Sequence, residues 1–232
     1  MELFSAIYLI VCLIVIVTKL WRHIKELKKK EEVEEVAGPE EGNVTLQAKA
    51  DLKHTFETIN MWVNNCDQKA GILLSVVGVA ITVLMTSDFF IFLRNYIVAP
   101  FVEYWFGNRD NLSFSWSRFT VFIILINSIA LLITSCYYLL KAIRANTNYK
   151  KMLKENPGLV KNSCIFYGSI SEMTYDEFIE KKVDYLKDLK SQIYVNSKIA
   201  TTKYKNYNEG LFWFRFLLLV SVMLFVVTMF VK

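Results

Sequence analysis

The sequence predicts an all-α integral membrane protein with four transmembrane helices and a helical cytoplasmic module that is continuous with the spans. Hydrophobic residues make up 54% of the 232 positions and are gathered into long runs. Four of these runs carry no charged side chain, namely 3–18, 71–87, 119–140 and 216–231. A transmembrane helix needs about 20 mostly apolar residues, and a charge at mid-bilayer costs about 2.5–3.5 kcal/mol. Buried helices of a soluble protein, the alternative, seldom remain apolar on every face over such lengths.

The domain organisation follows from these runs and the charged segments between them. We predict an N-terminal transmembrane anchor over residues 1–20 and a charged cytoplasmic linker over residues 21–45. Residues 46–232 form the main membrane domain. Within it we predict spans at about 70–90, 119–140 and 211–231, and cytoplasmic helices at about 46–69, 141–155 and 174–209.

Basic residues indicate how the chain is threaded. Only Glu2 precedes the first apolar run, whereas Lys19 and five further basic residues up to Lys30 follow it. The segment from Lys141 to Lys205 holds thirteen basic residues, but the aromatic-rich loop at 94–118 holds three. Cytoplasmic segments carry an excess of Lys and Arg. Both large hydrophilic segments are therefore predicted to be cytoplasmic, and both termini to lie on the other side.

Residues 46–69 are predicted to form one helix that runs unbroken into the second span. Apolar residues recur in alternating steps of four and three from Leu52 to Ala70, which is a coiled-coil-like seam. An adjacent stripe consists, inside the span, of small residues: Gly71, Ser75, Gly78 and Thr82. Small residues at this spacing allow helices to approach closely in lipid, so we predict that this stripe packs against another helix.

Turn and cap signals divide the segment after the third span. The helix predicted at 141–155 ends at Asn156-Pro157-Gly158. A new helix is signalled by Thr174 as N-cap and Glu177 at the capping-box position. We predict that it continues from Tyr175 to the last span.

The seam of that last helix becomes polar near the membrane. Leu189 and Ile193 give way to Asn196 and Lys203. Polar seam positions cost stability unless they find partners. Because Asp67 lies at about the same depth on the other helix, we predict that it pairs with Lys198 or Lys203.

Several kinds of chemistry are not predicted. The four cysteines and two histidines show no metal-ligand spacing. We find no nucleophile–base pair and no phosphate loop, so we predict no enzyme, no catalytic residue, no metal and no cofactor. The net charge of +5 arises from basic residues beside the spans, which suits anionic membrane lipid better than nucleic acid.

Three segments resemble the transmembrane effector family of the Pycsar antiphage systems. Residues 67–75 (DQKAGILLS) are similar to the family's D-x-K-A…ILLS stretch. Residues 165–170 (IFYGSI), followed by YDEF, are similar to its FFGDI…YEEF pattern, with Tyr167 and Ser169 in place of the usual Phe and Asp. The third segment is residues 192–200 (QIYVNSKIA), followed by Lys203-Tyr204. The resemblance covers about residues 46–225.

The resemblance implies an effector in the bacterial inner membrane that responds to a cyclic pyrimidine nucleotide, cyclic CMP or cyclic UMP, made by a cognate cyclase. It further implies that the effector impairs the membrane and causes abortive infection. A homo-oligomer is expected, because four spans alone enclose little lumen. A small channel or transporter, or a membrane anchor or scaffold for a partner enzyme, remain the alternative functions.

The three segments also supply candidate residues for ligand binding or coupling. The phosphate of a cyclic nucleotide needs cations, and its base needs aromatic or amide groups. The three segments contain such groups together with neighbouring residues, and we take ten of them as candidates: Asp67, Lys69, Phe166, Tyr167, Gly168, Tyr194, Asn196, Ser197, Lys198 and Lys203. The alternative is that these segments only lock the helices together.

Overall fold

The computed structural model describes residues 46–107, 115–144, 149–181 and 184–230, and all regular secondary structure in these ranges is helical. In chain order the helices are α1 (Leu46–Met85), α2 (Asp88–Phe92), α3 (Ala99–Phe106), α4 (Trp116–Ile143), α5 (Tyr149–Glu155), α6 (Tyr167–Ser171), α7 (Tyr175–Glu180) and α8 (Tyr185–Met229). A π-helical segment, Leu93–Val98, lies between α2 and α3.

Within the described ranges, the three long helices α1, α4 and α8 are long and apolar enough to cross a membrane. They contain three of the four predicted spans. The predicted anchor at 1–20 and linker at 21–45 lie outside the described residues.

The apolar halves of these three helices are largely uncovered by the other residues that the structure describes. In the most apolar stretch of α1, α4 and α8, 11%, 22% and 28% of the residues are buried. Large side chains such as Val79, Ile133 and Leu219 are exposed. Exposure of apolar surface to water costs about 25 cal/mol per Å². Hydrocarbon removes this cost, so the uncovered faces are those expected of helices in lipid.

Helix α1 is unbroken over 40 residues, as the seam predicts, but it ends earlier than expected. The Thr86 hydroxyl donates to the Thr82 carbonyl oxygen at 3.0 Å, and the Ser87 hydroxyl donates to that of Leu84 at 2.6 Å. These side-chain hydrogen bonds compete with the continuing helix. The helix therefore stops at Met85, before the end near residue 90 that is predicted for this span.

The segment predicted as a loop over residues 94–118 is helical up to Phe106. Pro100 has no N–H to donate to the helix. The N–H of Ala99, just before it, bonds to the Arg94 carbonyl oxygen five residues back, which closes a π-helical turn. The ring of Phe101 stacks on Phe122 of α4, with centroids 4.5 Å apart. Some of the aromatic residues that indicated an interfacial loop thus form the apolar face of short helices.

Both helices predicted after the third span are interrupted. Helix α4 ends at Ile143, where Arg144 takes an extended ψ of 126°, so residues 141–155 are not one helix. Similarly, residues 174–209 are not one helix. Lys181 has an extended ψ of 113° after α7, and the Asp184 carboxylate caps α8 by accepting N–H bonds from its first turn.

The predicted start of α7 is confirmed. The Thr174 hydroxyl accepts the Glu177 N–H at 3.3 Å, and the Glu177 carboxylate accepts the Thr174 N–H at 2.8 Å. This reciprocal pair is a capping box, which satisfies two N–H groups that would otherwise lack an intrahelical acceptor.

Helix α8 packs against both α4 and α1, and α4 also contacts α1. In the apolar half, α4, α8 and the π-helical segment meet in a cluster of buried residues: Leu93, Ile97, Val121, Ile124, Val220, Leu224 and Val227. A smaller cluster of Ala70, Leu139 and Ala142 joins α1 to α4 where the apolar halves begin.

Helices α4 and α8 approach closely at Gly210. A Cβ atom there would lie 2.8 Å from Leu139 Cγ, which is closer than real Cβ atoms come to a neighbour. The Ser135 hydroxyl donates a 3.0 Å hydrogen bond to the Gly210 carbonyl oxygen. Because Lys203 lies about two helical turns before Gly210, this contact fixes the spacing of the two helices beside the candidate site.

Candidate functional site

A cavity of about 390 Å³ lies among the polar halves of α1 and α8, the end of α4, α5 and the segment before α6. We call it the boundary cavity, because it lies next to the apolar halves of the long helices. It is lined by Phe56, Asn60, Val63, Asp67, Ile143, Met152, Ile165, Phe166, Tyr167, Gln192, Val195, Asn196, Ile199 and Lys203. All three segments that resemble the antiphage effectors contribute to this lining.

An ion pair closes the end of the cavity nearest the apolar halves. Lys203 Nζ lies 2.5 Å from Asp67 Oδ1, which confirms the predicted partnership of Asp67 with Lys203. The same ammonium donates a 3.0 Å hydrogen bond to the Ile143 carbonyl oxygen at the end of α4. The Lys203 side chain is 6% exposed and that of Asp67 is 35% exposed. One buried cation therefore joins α8, α1 and α4.

This arrangement gives hydrogen-bond partners to a buried ammonium and to a helix-terminal carbonyl, which would lower the stability of the fold if they had none. A buried ammonium needs a counter-ion and acceptors. The last carbonyls of a helix lack intrahelical partners, and Ile143 is the last residue of α4. A lysine ammonium carries three N–H donors, of which two point to Asp67 and Ile143.

Side-chain amides line the cavity farther from the apolar halves. Asn196 Nδ2 of α8 donates a 2.8 Å hydrogen bond to Asn60 Oδ1 of α1. Gln192, one helical turn before Asn196, is 2% exposed. Its Nε2 atom has no hydrogen-bond partner among the residues that the structure describes. This part of the cavity thus offers amide groups rather than charges.

Aromatic side chains form another wall of the cavity. The Phe166 and Tyr167 rings lie 4.9 Å apart at 53°, with Phe166 half-buried and Tyr167 exposed. A Cβ atom on Gly168 would lie 2.6 Å from Phe166 Cε1. The absence of a side chain at Gly168 therefore allows the Phe166 ring to take its place in the wall.

Buried polar side chains hold this wall in position. Asp188 Oδ2 of α8 accepts the Cys164 N–H at 2.8 Å. Ser163 Oγ accepts the N–H groups of Ile165 and Phe166, each at 3.0 Å. Asp188 and Ser163 are almost completely buried, so the Ser163 bonds fix the backbone of the aromatic wall and the Asp188 bond anchors it to α8.

Five of the ten predicted ligand or coupling residues line the boundary cavity. They are Asp67, Phe166, Tyr167, Asn196 and Lys203. Gly168 lies behind the ring of Phe166, and Lys69 is exposed on α1 outside the lining. The roles of all ten in binding or coupling stay predictions.

The other three predicted residues lie on a different face of α8. The Tyr194 hydroxyl donates to Asn156 Oδ1 at 3.3 Å. Lys198 Nζ sits over the Tyr194 ring at 5.4 Å, so the alternative pairing of Lys198 with Asp67 is not seen. The Ser197 hydroxyl donates to the Ile193 carbonyl oxygen of its own helix at 2.7 Å. None of these three side chains lines the cavity.

The stripe of small residues in α1 faces away from the described helices at its glycines. A Cβ atom on Gly71 or Gly78 would have nothing within 4 Å beyond α1 itself, in the part of the chain that the structure describes. The Ser75 and Thr82 hydroxyls bond to carbonyls of α1 itself. A partner helix for this stripe stays a prediction.

Gln192 and Asn60 are cavity residues that the sequence-based site omits. A usable signal was present, because Gln192, Asn196 and Lys203 follow the i, i+4, i+11 spacing of a single helix face. The stripe beside the apolar seam of α1 likewise places Asn60 two turns before Asp67. No comparable pattern in the sequence indicates that Met152 and Ile143 line the cavity.

The part of the chain that matches a known family contains all three segments. Residues 51–231 match the model of the Pycsar effector protein domain. The Pycsar effector protein GmPycTM of Gulbenkiania mobilis is 29% identical over 188 residues, covering 78% of this chain and 91% of that protein. No solved structure matches the chain.

Proposed function

The chain belongs to the Pycsar effector protein domain family, and we propose that it is an antiphage membrane effector that cyclic CMP or cyclic UMP activates by binding in the boundary cavity. The observation that carries this proposal is the cavity lining. Asp67, Phe166 and Lys203 come from three separate family-like segments and meet around one space. Its volume of about 390 Å³ suits a small ligand, since such pockets measure about 300–1,000 Å³.

Lys203 supplies the chemistry that a cyclic phosphate requires. The phosphate brings one negative charge, and Lys203 is buried beside the cavity with two of its three donors directed at Asp67 and Ile143. In this proposal the third N–H donor of the ammonium makes the first contact with the phosphate. A phosphate beside Asp67 also places two anions next to one cation, so the nucleotide competes with Asp67 for the ammonium.

The aromatic and amide groups supply contacts for the rest of the ligand. The Phe166 ring offers an apolar face against which a pyrimidine can stack. Asn196 and Asn60 offer amide donors and acceptors beyond the bond that they share. These contacts require no catalytic group, in keeping with an effector that is not an enzyme.

Competition for Lys203 gives binding a route to the membrane. Lys203 joins three helices that each continue into an apolar half, so weakening its bonds to Asp67 and Ile143 changes how α1, α4 and α8 pack at the membrane surface. Packed helices shift between discrete arrangements rather than deforming continuously. We propose that the rearranged helices, in a homo-oligomer, impair the membrane.

The cellular setting completes the proposal. A cognate cyclase supplies the nucleotide after infection, the boundary cavity faces the cytoplasm where that nucleotide is made, and both termini are periplasmic. Membrane lipid surrounds the apolar halves in the bacterial inner membrane. Impairment of that membrane stops the infected cell, which is abortive infection.

Direct binding to the purified full-length protein tests the proposal. Isothermal titration with cyclic CMP, cyclic UMP and cyclic AMP should show binding of at least one pyrimidine nucleotide and none of cyclic AMP. The binding nucleotide should also collapse the membrane potential of cells that express the protein. Absence of binding to both pyrimidine nucleotides would contradict the proposal.

A matched pair of lysine variants makes this test specific to the cavity. Lys203→Met removes the buried ammonium, whereas Lys190→Met removes an exposed ammonium from the same helix, outside the lining. We expect Lys203→Met to lose binding and depolarisation and Lys190→Met to retain both. Equal behaviour of the two variants would show that the cavity is not the binding site.

A further inference from the structure

We infer that Gln192 is a ligand-binding residue of the boundary cavity and that its side-chain amide binds the base of the nucleotide. The inference rests on the proposed function and adds to it which part of the ligand lies at which end of the cavity. Neither the family match nor the predicted site residues assign a role to this glutamine.

The first observation is a buried donor without an acceptor. Gln192 is 2% exposed and lines the cavity, and its Nε2 atom has no partner among the described residues. Most buried polar groups in folded proteins are paired, so each exception requires an explanation. An acceptor on a ligand in the cavity would complete the hydrogen bonding of this amide.

The second observation is the separation of charge from amide along α8. At 1.5 Å per residue, Asn196 lies about 10.5 Å and Gln192 about 16.5 Å from Lys203 along the helix axis. Asn196 already donates to Asn60, which leaves Gln192 as the unpartnered donor at the far end of the described lining. A cyclic nucleotide likewise carries its phosphate and its base at opposite ends. Its phosphate therefore lies near Lys203 and its base near Gln192.

The amide N–H of Gln192 is a donor for the base of the nucleotide. Cytosine and uracil both carry a carbonyl oxygen at C2, which accepts a hydrogen bond from Nε2 of Gln192. Sites that hydrogen-bond a ligand group discriminate strongly against analogues lacking that group, because the buried partner is then left unpaired. Gln192 therefore favours a ligand that carries a base over one that has only the sugar and the phosphate.

The test compares Gln192→Met with wild-type full-length protein by isothermal titration. Met has a similar length to Gln but no donor. The probes are cyclic CMP, cyclic UMP and ribose 3′,5′-cyclic phosphate, which has the phosphate and sugar but no base. We expect the variant to bind the pyrimidine nucleotides at least tenfold more weakly and the base-free probe unchanged. Gln68→Leu, which alters an exposed glutamine of α1, should change neither.

Each result decides the inference separately from the proposed function. If wild-type protein binds cyclic CMP or cyclic UMP and Gln192→Met binds it equally well, the inference is overturned while the proposed function stands. An equal loss for all three probes also overturns it, because the effect would then not concern the base. If wild-type protein binds none of the probes, the proposed function fails and takes the inference with it. Should Gln192→Met not fold, judged by its unfolding temperature, Gln192→Leu serves the same comparison.

Discussion

At the scale of single residues, the two members of the central ion pair are not equivalent. Lys203 has 6% of its side chain exposed, while Asp67 has 35% exposed. Removing the counter-ion of a buried charge is far more costly than removing that of a charge in contact with water. Lys203 also bonds to Ile143, so it keeps an acceptor when Asp67 is absent.

This difference predicts opposite effects on nucleotide affinity. Lys203→Met should abolish binding, because no other lysine or arginine is among the described lining residues. Asp67→Asn should tighten binding by about tenfold, since it removes an anion that competes with the phosphate and tenfold corresponds to about 1.4 kcal/mol. Isothermal titration of the two variants measures both effects. Weaker binding in both would show that the pair only stabilises the fold.

The same residues show how far a sequence can predict a site. Asp67 and Lys203 lie at equal depth on antiparallel helices, which made their pairing predictable. The rival Lys198 is five residues away, or about 140° around the helix, and so faces elsewhere. The helix-face spacing places Gln192 beside Asn196, but its lack of a hydrogen-bond partner is visible only when every neighbour is known.

At the scale of elements, hydropathy predicted the long helices but not all of their ends. The apolar stretches of α1, α4 and α8 follow from the cost of charge in hydrocarbon. The end of α4 has no local signal, because neither Gly nor Pro follows Ile143 directly. The terminal carbonyl of Ile143 instead bonds to Lys203, sixty residues along the chain. Such an end depends on tertiary contacts that periodicity does not contain.

Helix α7 provides a prediction about pH. Hydrogen bonds from the Thr174 backbone N–H and hydroxyl lower the pKa of Glu177 below its ordinary value of 4.5. A carboxylate with a lowered folded-state pKa stabilises the helix fully above its unfolded-state pKa, and the effect is lost as the pH falls through the lowered value. We therefore expect amide exchange in residues 175–180, corrected for intrinsic rates, to lose protection only below about pH 4.5.

Hydrogen-exchange mass spectrometry of wild type and Glu177→Gln checks this expectation. The variant keeps a side chain of the same size but has no titrating group, so its protection of α7 should not change over the same pH range. The capping box is local, and protection of α8 should be the same in both proteins. Identical pH profiles for α7 in the two proteins would contradict the assignment.

At the scale of the whole molecule, the boundary cavity lies where three membrane helices are joined by one side chain. The Gly210 contact fixes α8 against α4 on the membrane side of Lys203. No comparably tight contact involves the glycines of α1 in the part of the chain that the structure describes. If a nucleotide competes for Lys203 as proposed, we therefore expect α1 to move more than the other two helices.

Cys66 reports on that movement, because it precedes Asp67 on α1 and is completely buried. Burial raises the pKa of its thiol, and the neighbouring Asp67 charge raises it further, so little reactive thiolate forms in the resting protein.

In full-length protein with Cys12, Cys136 and Cys164 replaced by serine, we expect cyclic CMP or cyclic UMP to accelerate maleimide labelling of Cys66 at least tenfold. Cyclic AMP should leave the rate unchanged, and so should either pyrimidine nucleotide added to the Lys203→Met form. Since a displaced α1 exposes both Cys66 and the start of its membrane half, tight nucleotide binding with unchanged labelling would mean that the signal reaches the membrane by another helix.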